Sequence, residues 1–247
     1  MHCGHWAGLT PPAWQIKPDR HKRHAEIQRQ AWADWRRLCV ALQPIYDVYL
    51  IGDLIDGRGD KSGSTELVTT DRIEQCDMAI QNAKMLNPTN GYMITFGTPY
   101  HTGQLEDFER LIADRLSAPI GDHHWPQVNG VTFDIKHKIG GTSTPTGGDI
   151  ALRKERLWNV LWDERGMAPK SDIILRAHVH SHRYIGENGW MAATCPSLQY
   201  WTKYGGRQCS GMVDWGILVF DIEENGEWSW ESHIRSARSA RAKASVR

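Results

Sequence analysis

Apolar residues recur three or four apart along residues 21–42, at Ile27, Ala31, Trp35, Leu38 and Leu42. That spacing predicts an amphipathic helix, which Pro44 then stops. A short apolar run at 46–51 breaks at Gly52, the mark of a buried strand. The two periods go on alternating: a helix over 66–86 ended by Asn87-Pro88, a strand over 92–96 closed by Gly97, and a helix over 104–116. Next come a strand over 131–137, a helix over 150–165 and a strand over 173–177. Beyond Tyr184 the pattern turns to strands alone, at 190–193, 215–222 and 227–233. The last two are joined across Glu224-Asn225-Gly226, a strong hairpin signal. Strands alternating with helices, then hairpins, indicate a layered α/β fold with a sheet-rich C-terminal half. No internal repeat or linker divides the chain, so residues 1–234 read as one domain. The basic stretch 235–247 reads as a solvated tail.

Composition changes this picture little. The chain of 247 residues balances 29 basic against 29 acidic side chains, so no global field favours nucleic acid or a membrane surface. The basic tail is the sole hint of an arm that touches phosphates. No run approaches the roughly 18 apolar residues of a membrane span, and the opening MHCGHWAGLTPP does not read as a signal peptide. Five scattered cysteines, Cys3, Cys39, Cys76, Cys195 and Cys209, contain no CxxC pair. Neither a disulfide framework nor a zinc ribbon is indicated, and a reducing cytoplasm is the expected location. Most of the twelve tryptophans are expected to build core and loop packing.

The chemistry lies at the strand ends. The strand over 46–51 leads into Gly52-Asp53-Leu54-Ile55-Asp56-Gly57, and that over 92–96 into Gly97-Thr98-Pro99-Tyr100-His101. The third ends in His137, the fourth in Ala177-His178-Val179-His180. Ligands of open α/β sheets bind beyond the carboxyl ends of strands, so these groups are expected to converge. Imidazole with carboxylate suits Zn, Mn or Fe. In an extended HxH the two side chains share one side. A single carboxylate, Asp53, can bridge two ions about 3.5–4 Å apart.

In order along the chain, His2, the GDLID of 52–56, His101, His137 and the AHVH of 177–180 resemble the signature of calcineurin-like metallophosphoesterases, which reads DxH, GDxxD, GNH, a lone His and GHxH. The resemblance implies a four-layer α-β-β-α sandwich and hydrolysis of phosphomonoesters or phosphodiesters by a metal-bound hydroxide. The substrate would be a small molecule or a nucleic acid, and the cofactors two divalent ions (Mn, Fe or Zn). By position, Asp53 resembles the bridging ligand, His2 and His180 ligands of one ion, and His137 and His178 ligands of the other. His101 resembles the histidine that assists the leaving group, and Asp56 the carboxylate that orients it. Arg58, just after GDLID, reads as a phosphate contact.

Three departures stand out. The Asp of DxH would lie two positions before His2, and the apolar strand that precedes it is missing, so the expectation is that both lie upstream of Met1. GNH is replaced by GTPYH, with Thr98 a poorer ligand than Asn. Ala177 replaces a glycine, a small change. The alternatives are a truncated or degenerate, non-catalytic protein that binds a metal or a partner, and a nuclease of the same fold. Competing readings of single residues are weaker. His123 and His124 sit in a Gly- and Pro-bounded loop, His5 could stand in as a ligand, and His182 has no assigned role. The stretch Gly57-Arg58-Gly59-Asp60-Lys61-Ser62 lacks the GK[ST] of a P-loop, and neither GxSxG nor HExxH occurs.

Overall fold

Alternation along single strands sets the layers. In β1 (Asp47–Ile51), Val48 and Leu50 face one way and Tyr49 and Ile51 the other. A computed structural model describes residues 1–60, 63–103, 106–141, 144, 146–203 and 212–236 of the chain. Val48 and Leu50 pack beneath three helices, α1 (Pro18–Ala41), α2 (Arg72–Lys84) and α4 (Phe108–Leu116), together with Trp35, Cys39, Met78, Ala83 and Ile112. The short α3 (Pro99–Thr102) stands between β2 (Gly91–Thr95) and α4. β1, β2 and β3 (Ile120–Gly121) form a parallel sheet in that order.

The second sheet is mixed. Its order is β4 (His123–His124), β6 (Val131–Lys136), β7 (Ile173–Arg176), β9 (Trp190–Thr194) and β8 (Arg183–Glu187), with β5 (Gln127–Val128) also paired to β6. β6, β7 and β9 run parallel, and β4 and β8 run against them. In β7, Ile173 and Leu175 face the first sheet among Phe133, Ile135, Tyr49 and Ile51, while Ile174 faces α5 (Gly147–Glu164) with Leu152 and Ala192. Helices, sheet, sheet and helix therefore stack as four layers. A ribbon of β10 (Asp214–Ile222) and β11 (Trp228–Ser236) turns at Asn225-Gly226 and lays Leu218 and Phe220 against the core between the sheets. Each fully buried Ile, Leu or Phe in these layers contributes about 1.5–3 kcal/mol.

The structure departs from the sequence pattern in places that have local causes. α2 starts at Arg72, not near 66, because the Asp71 carboxylate caps it by accepting from the Ile73 and Glu74 amides. Residue 67 instead pairs in a short bridge with His5. α4 starts at Phe108; residues 104 and 105, where a helix was expected, lie outside the described residues. β8 carries no clear alternation and was not anticipated. β11 extends to Ser236, and Arg235 pairs with buried Asp34 at 2.7 Å, so the strand takes in the first positions of the expected tail. Residues 237–247, like Cys209, Lys61 and Ser62, lie outside the described residues. Among the described residues no helix is long and apolar enough to cross a membrane.

Beneath the strand ends lies a buried ionic network. Arg176 has no exposed surface; it meets Asp134 at 2.6 Å and Glu155 at 2.8 Å, and its guanidinium also donates to the Asp134 carbonyl. His123 Nε2 bonds Asp134 at 2.7 Å, and Asn159 donates to the same carboxylate. This network ties β4, β6, β7 and α5 together two residues before His178. Removing one member of a buried pair strands its partner's charge. Arg176→Met is expected to lower stability by about 3–5 kcal/mol in urea titration; a loss below about 1 kcal/mol would show that the network contributes little.

Candidate metal centre

The strand-end loops need glycine to meet. Gly52 lies at φ +63°, and a Cβ there would fall 2.6 Å from both Gly97 Cα and His137 Nδ1. A Cβ on Gly97 would fall 2.3 Å from the Asp53 amide nitrogen and Oδ1. The loops after β1 and β2 thus cross in direct contact, and Asp53 is seated at the crossing. Glu109 joins them from below: its buried carboxylate accepts from the Leu54 amide at 2.8 Å and the Gly97 amide at 2.7 Å. Burial, opposed by those two amides, raises its pKa to about 7.

The seven candidate metal and acid–base residues lie in one connected cluster around Asp53. Its Oδ1 accepts from the Thr98 amide at 2.7 Å and the Thr98 hydroxyl at 3.0 Å. Its Oδ2 lies 3.0 Å from His137 Nε2 and 4.0 Å from His178 Nδ1. His137 Nδ1 donates to the Ile51 carbonyl at 2.8 Å, which turns Nε2 toward Asp53. That Nε2 is buried yet lacks hydrogen-bond geometry to any partner. On the other side His2 Nδ1 bonds Asp56 Oδ1 at 3.1 Å, leaving its Nε2 2.9 Å from His180 Nε2. His101 Nδ1 donates to the Asp56 backbone carbonyl at 2.8 Å, and its ring stands edge-on to His2 with centroids 4.6 Å apart. The Asp56 carboxylate lies 3.6 Å from His101 Nδ1, so its shorter contact is with His2. Asp56 therefore steadies His2 at least as closely as it does His101.

His178 and His180 do not lie in an extended strand. β7 ends at Arg176, and the two histidines sit beyond it at φ +72° and +56°, with the Val179 amide bonded to the Ala177 carbonyl. Two left-handed residues, not strand alternation, aim both rings. Eight non-glycine residues among those described have positive φ, and four of them are His2, Asp53, His178 and His180. Such backbone costs about 1–3 kcal/mol per residue and persists where surrounding structure imposes it.

The electrostatics favour ligation. Burial, then the neighbouring His101 and His180, holds His2 well below its ordinary pKa. Burial brings His180 down to about 3, and burial and His137 lower His178. Neutral imidazoles keep the lone pairs that a metal uses. Burial would raise Asp53, but the His137 contact and the charges of His2 and His137 outweigh it and hold the carboxyl far below the usual carboxylate range. The same pairing with Asp53 overcomes burial and raises His137.

The donor set fits divalent ions. One ligand atom each from His2, Asp53 and His101 lies within 4.8 Å of the others, and so does one each from Asp53, His137 and His178. Two ligand atoms on one tetrahedral zinc-like ion stand about 3.3–3.4 Å apart, given arms of about 2.0–2.1 Å; the His2–His180 contact at 2.9 Å and the His137–Asp53 contact at 3.0 Å are each a few tenths of an ångström tighter. Thr98, expected as a weak ligand, is instead a donor to Asp53. Arg58 is exposed in the loop after Asp56. The competing histidines lie elsewhere: His123 on Asp134, His124 on the Ile94 carbonyl, His182 on the Thr194 carbonyl, and His5 accepting from the Ala7 amide and 4.0 Å from Glu66. Glu109 was missed, although the sequence held a signal. It occupies the apolar stripe of α4 with Ile112, Ala113 and Leu116, where a carboxylate needs a buried task.

No family model and no curated protein matches the chain. The solved structures it resembles include an archaeal phosphodiesterase, Vps29 proteins and a predicted phosphoesterase. An archaeal phosphodiesterase matches at 12% identity over 83% of this chain and 94% of that one, with a TM-score of 0.42. A single mutant of Vps29 from Entamoeba histolytica matches at 11% identity over 81% and 89%, with a TM-score of 0.41. A predicted phosphoesterase from Streptococcus pneumoniae matches at 8% identity over 81% and 90%, with a TM-score of 0.31. Likeness at this level says nothing of activity.

The geometry sets two outcomes. Gly97→Ala forces the loop after β2 away from Asp53, so a thermal shift produced by manganese or zinc in the parent chain should disappear. An undiminished shift would show that the loop crossing is not needed. The second concerns pH. The unfolded chain protonates His180 near 6.5 and the folded chain only near 3, so stability present above pH 6.5 is lost as pH falls toward 3. In chelator, His180→Gln should lose less stability than the parent as pH falls from about 7 to about 5, measured by urea midpoints. Equal losses would mean that His180 is not held neutral.

Proposed function

We propose that this protein is a metal-dependent phosphoesterase whose centre is built on Asp53. The observation that carries the reading is the buried His137 Nε2, which lies 3.0 Å from Asp53 Oδ2 without a hydrogen bond, beside a strongly acidic carboxylate and three imidazoles, His2, His178 and His180, that burial holds below their ordinary pKa. His137, His178 and Asp53 would hold one ion, and His2, His180 and Asp53 a second. When bound, divalent ions supply a nucleophilic water near neutral pH and neutralise phosphoryl oxygens.

The remaining groups act around that centre. Asp56 fixes the His2 ring through Nδ1, and the Ile51 carbonyl does the same for His137, so both rings turn Nε2 toward the centre. Thr98 and the crossing glycines orient Asp53. His101 has its Nδ1 proton committed to the Asp56 carbonyl, and its Nε2 can carry a proton to the leaving oxygen of the ester. Arg58, exposed at the rim, would meet the phosphate or its substituent. Phosphomonoesters, phosphodiesters and nucleic acid all fit this chemistry.

A second reading has its own observation. Both Thr98 donors occupy Asp53 Oδ1, which leaves Oδ2 as the free oxygen and favours the ion between His137 and His178 over its neighbour. The second reading is a protein that fills this one site and binds metal without hydrolysing an ester.

The deciding assay is manganese-dependent hydrolysis of bis-p-nitrophenyl phosphate, with metal content measured on the same sample. The proposal expects activity that chelator removes and that falls at least about 100-fold in His178→Ala, the order of loss seen when one catalytic electrostatic group is deleted. His101→Asn should lower turnover while leaving metal content unchanged. Bound metal with no hydrolysis of monoester, diester or single-stranded DNA would select the second reading, and activity intact in His178→Ala would overturn the first.

A further inference from the structure

The charges of the chain balance overall, yet they are unevenly spread. The stretch 17–29 holds Lys17, Arg20, Lys22, Arg23 and Arg29 against Asp19 and Glu26 alone. All five cations are exposed. The ion pairs of α1 among the described residues lie at its other end, where Asp34 meets Arg37 and Arg235. Like charges a turn apart on a helix repel, and no described carboxylate pairs with any of the five. A neutral chain thus carries a local positive field over roughly 18 Å of helix.

That field stands at the metal end of the fold. α1 ends at Ala41, and the chain then enters β1 at Asp47, so the helix runs against the strand. Its first turns lie at the end of the sheet where Asp53 follows β1. Trp6 makes the connection. The His5 amide donates to the His2 carbonyl at 3.1 Å, so residues 2–5 form a tight turn and Trp6 follows the candidate ligand His2 directly. Trp6 is pinned by its amide on the Glu66 carbonyl and by Nε1 on the Leu67 carbonyl, each at 2.7 Å. Its ring meets those of His21 and His24, with centroids 4.9 Å away in both cases. His21 leaves helical geometry, and its Nδ1 lies 2.8 Å from that of buried His24. Trp6 and His21 are half-buried, so each keeps open surface beside the cations.

We propose that this patch holds a single nucleic-acid strand, with its phosphates along the start of α1, its bases against Trp6 and His21, and its chain continuing to the centre at Asp53. Each part of the patch narrows the ligand. Lys and Arg in a row track a phosphate backbone, and aromatic faces take unstacked bases of any sequence. A duplex keeps its bases stacked on one another, an acidic peptide has none, and a mononucleotide is too short to span the patch. Hydrolysis of the strand rests on the phosphoesterase reading; its binding does not.

The test measures binding apart from turnover. Fluorescence anisotropy follows a labelled DNA strand of about 12 nucleotides on the 247-residue protein with chelator present. Arg20→Gln/Lys22→Gln/Arg23→Gln should weaken binding at least tenfold and reduce the slope of log affinity against log salt by about 2. Exchanging the same positions for the other cation, Arg20→Lys/Lys22→Arg/Arg23→Lys, should restore it. A strand of the same length without bases should bind about tenfold more weakly. Binding untouched by the three neutral substitutions overturns the proposal. So does an equal loss on neutralising Arg153, Lys154 and Arg165 of α5, because the effect would then be one of net charge. Equal affinity for the strand without bases, or for polyglutamate, overturns it as well. Binding of the expected pattern, with no hydrolysis once manganese is supplied, supports the patch and counts against the phosphoesterase reading alone.

Discussion

Asp53 sits where three constraints meet, and the candidate centre depends on all of them. Its backbone is left-handed, its Oδ1 is held by both donors of Thr98, and its Oδ2 faces His137 and His178. None of these survives a side chain at Gly52 or Gly97, because the loops after β1 and β2 touch there. Close backbone approach is therefore the condition for the carboxylate's position, and the carboxylate's charge is the condition for a raised pKa at His137. A chain of causes runs from two glycines to the protonation state of a ring on the facing sheet.

The cluster is anchored by polar groups that do no chemistry. Glu109 joins the two crossing loops through their amides, and its burial would be unfavourable without both bonds. On the far side, Arg176 with Asp134 and Glu155 fixes the end of β7, from which His178 and His180 depart. Buried charge of this kind adds little net stability against an apolar substitute, but it restricts the geometry the strand end can adopt. Four left-handed residues among the candidate ligands are tolerated for the same reason: the surroundings leave the backbone no cheaper course.

Much of this was legible in residue order. Period and punctuation located β1, β2, β6, β7 and the long helices, because each is buried on a defined face and most are followed by Gly, Pro or Asn, while β6 and β7 run into histidine. The polar residues after those strands stood out for the same reason, since an apolar run gives way abruptly to Asp or His. What escaped depends on contacts distant in sequence. β8 is exposed and patterned by pairing with β9 alone. The start of α2 was set by Asp71 as a cap and not by the apolar residues before it. The orientation of His178 and His180 comes from left-handed backbone, which a reading of HxH as extended strand reverses. Thr98 was weighed as a ligand, yet its two donors point at Asp53, a role visible only once β1 and β2 are adjacent.

Asp56 shows how the same residue can serve two partners. Its carboxylate is closer to His2, while its backbone carbonyl takes the His101 proton. Both rings are thereby fixed through Nδ1 from one loop position, and both present Nε2. Rings held in this way differ in what surrounds the free nitrogen. His2 faces His180 in a buried setting that keeps it neutral, whereas His101 is half-buried beside Tyr100 and stands nearer the opening. A buried neutral nitrogen suits a cation, and a more exposed one suits proton exchange with water or substrate. His2 and His101 thus differ in depth, while His178, whose side chain is more exposed than that of His101, is set apart by its position facing Asp53.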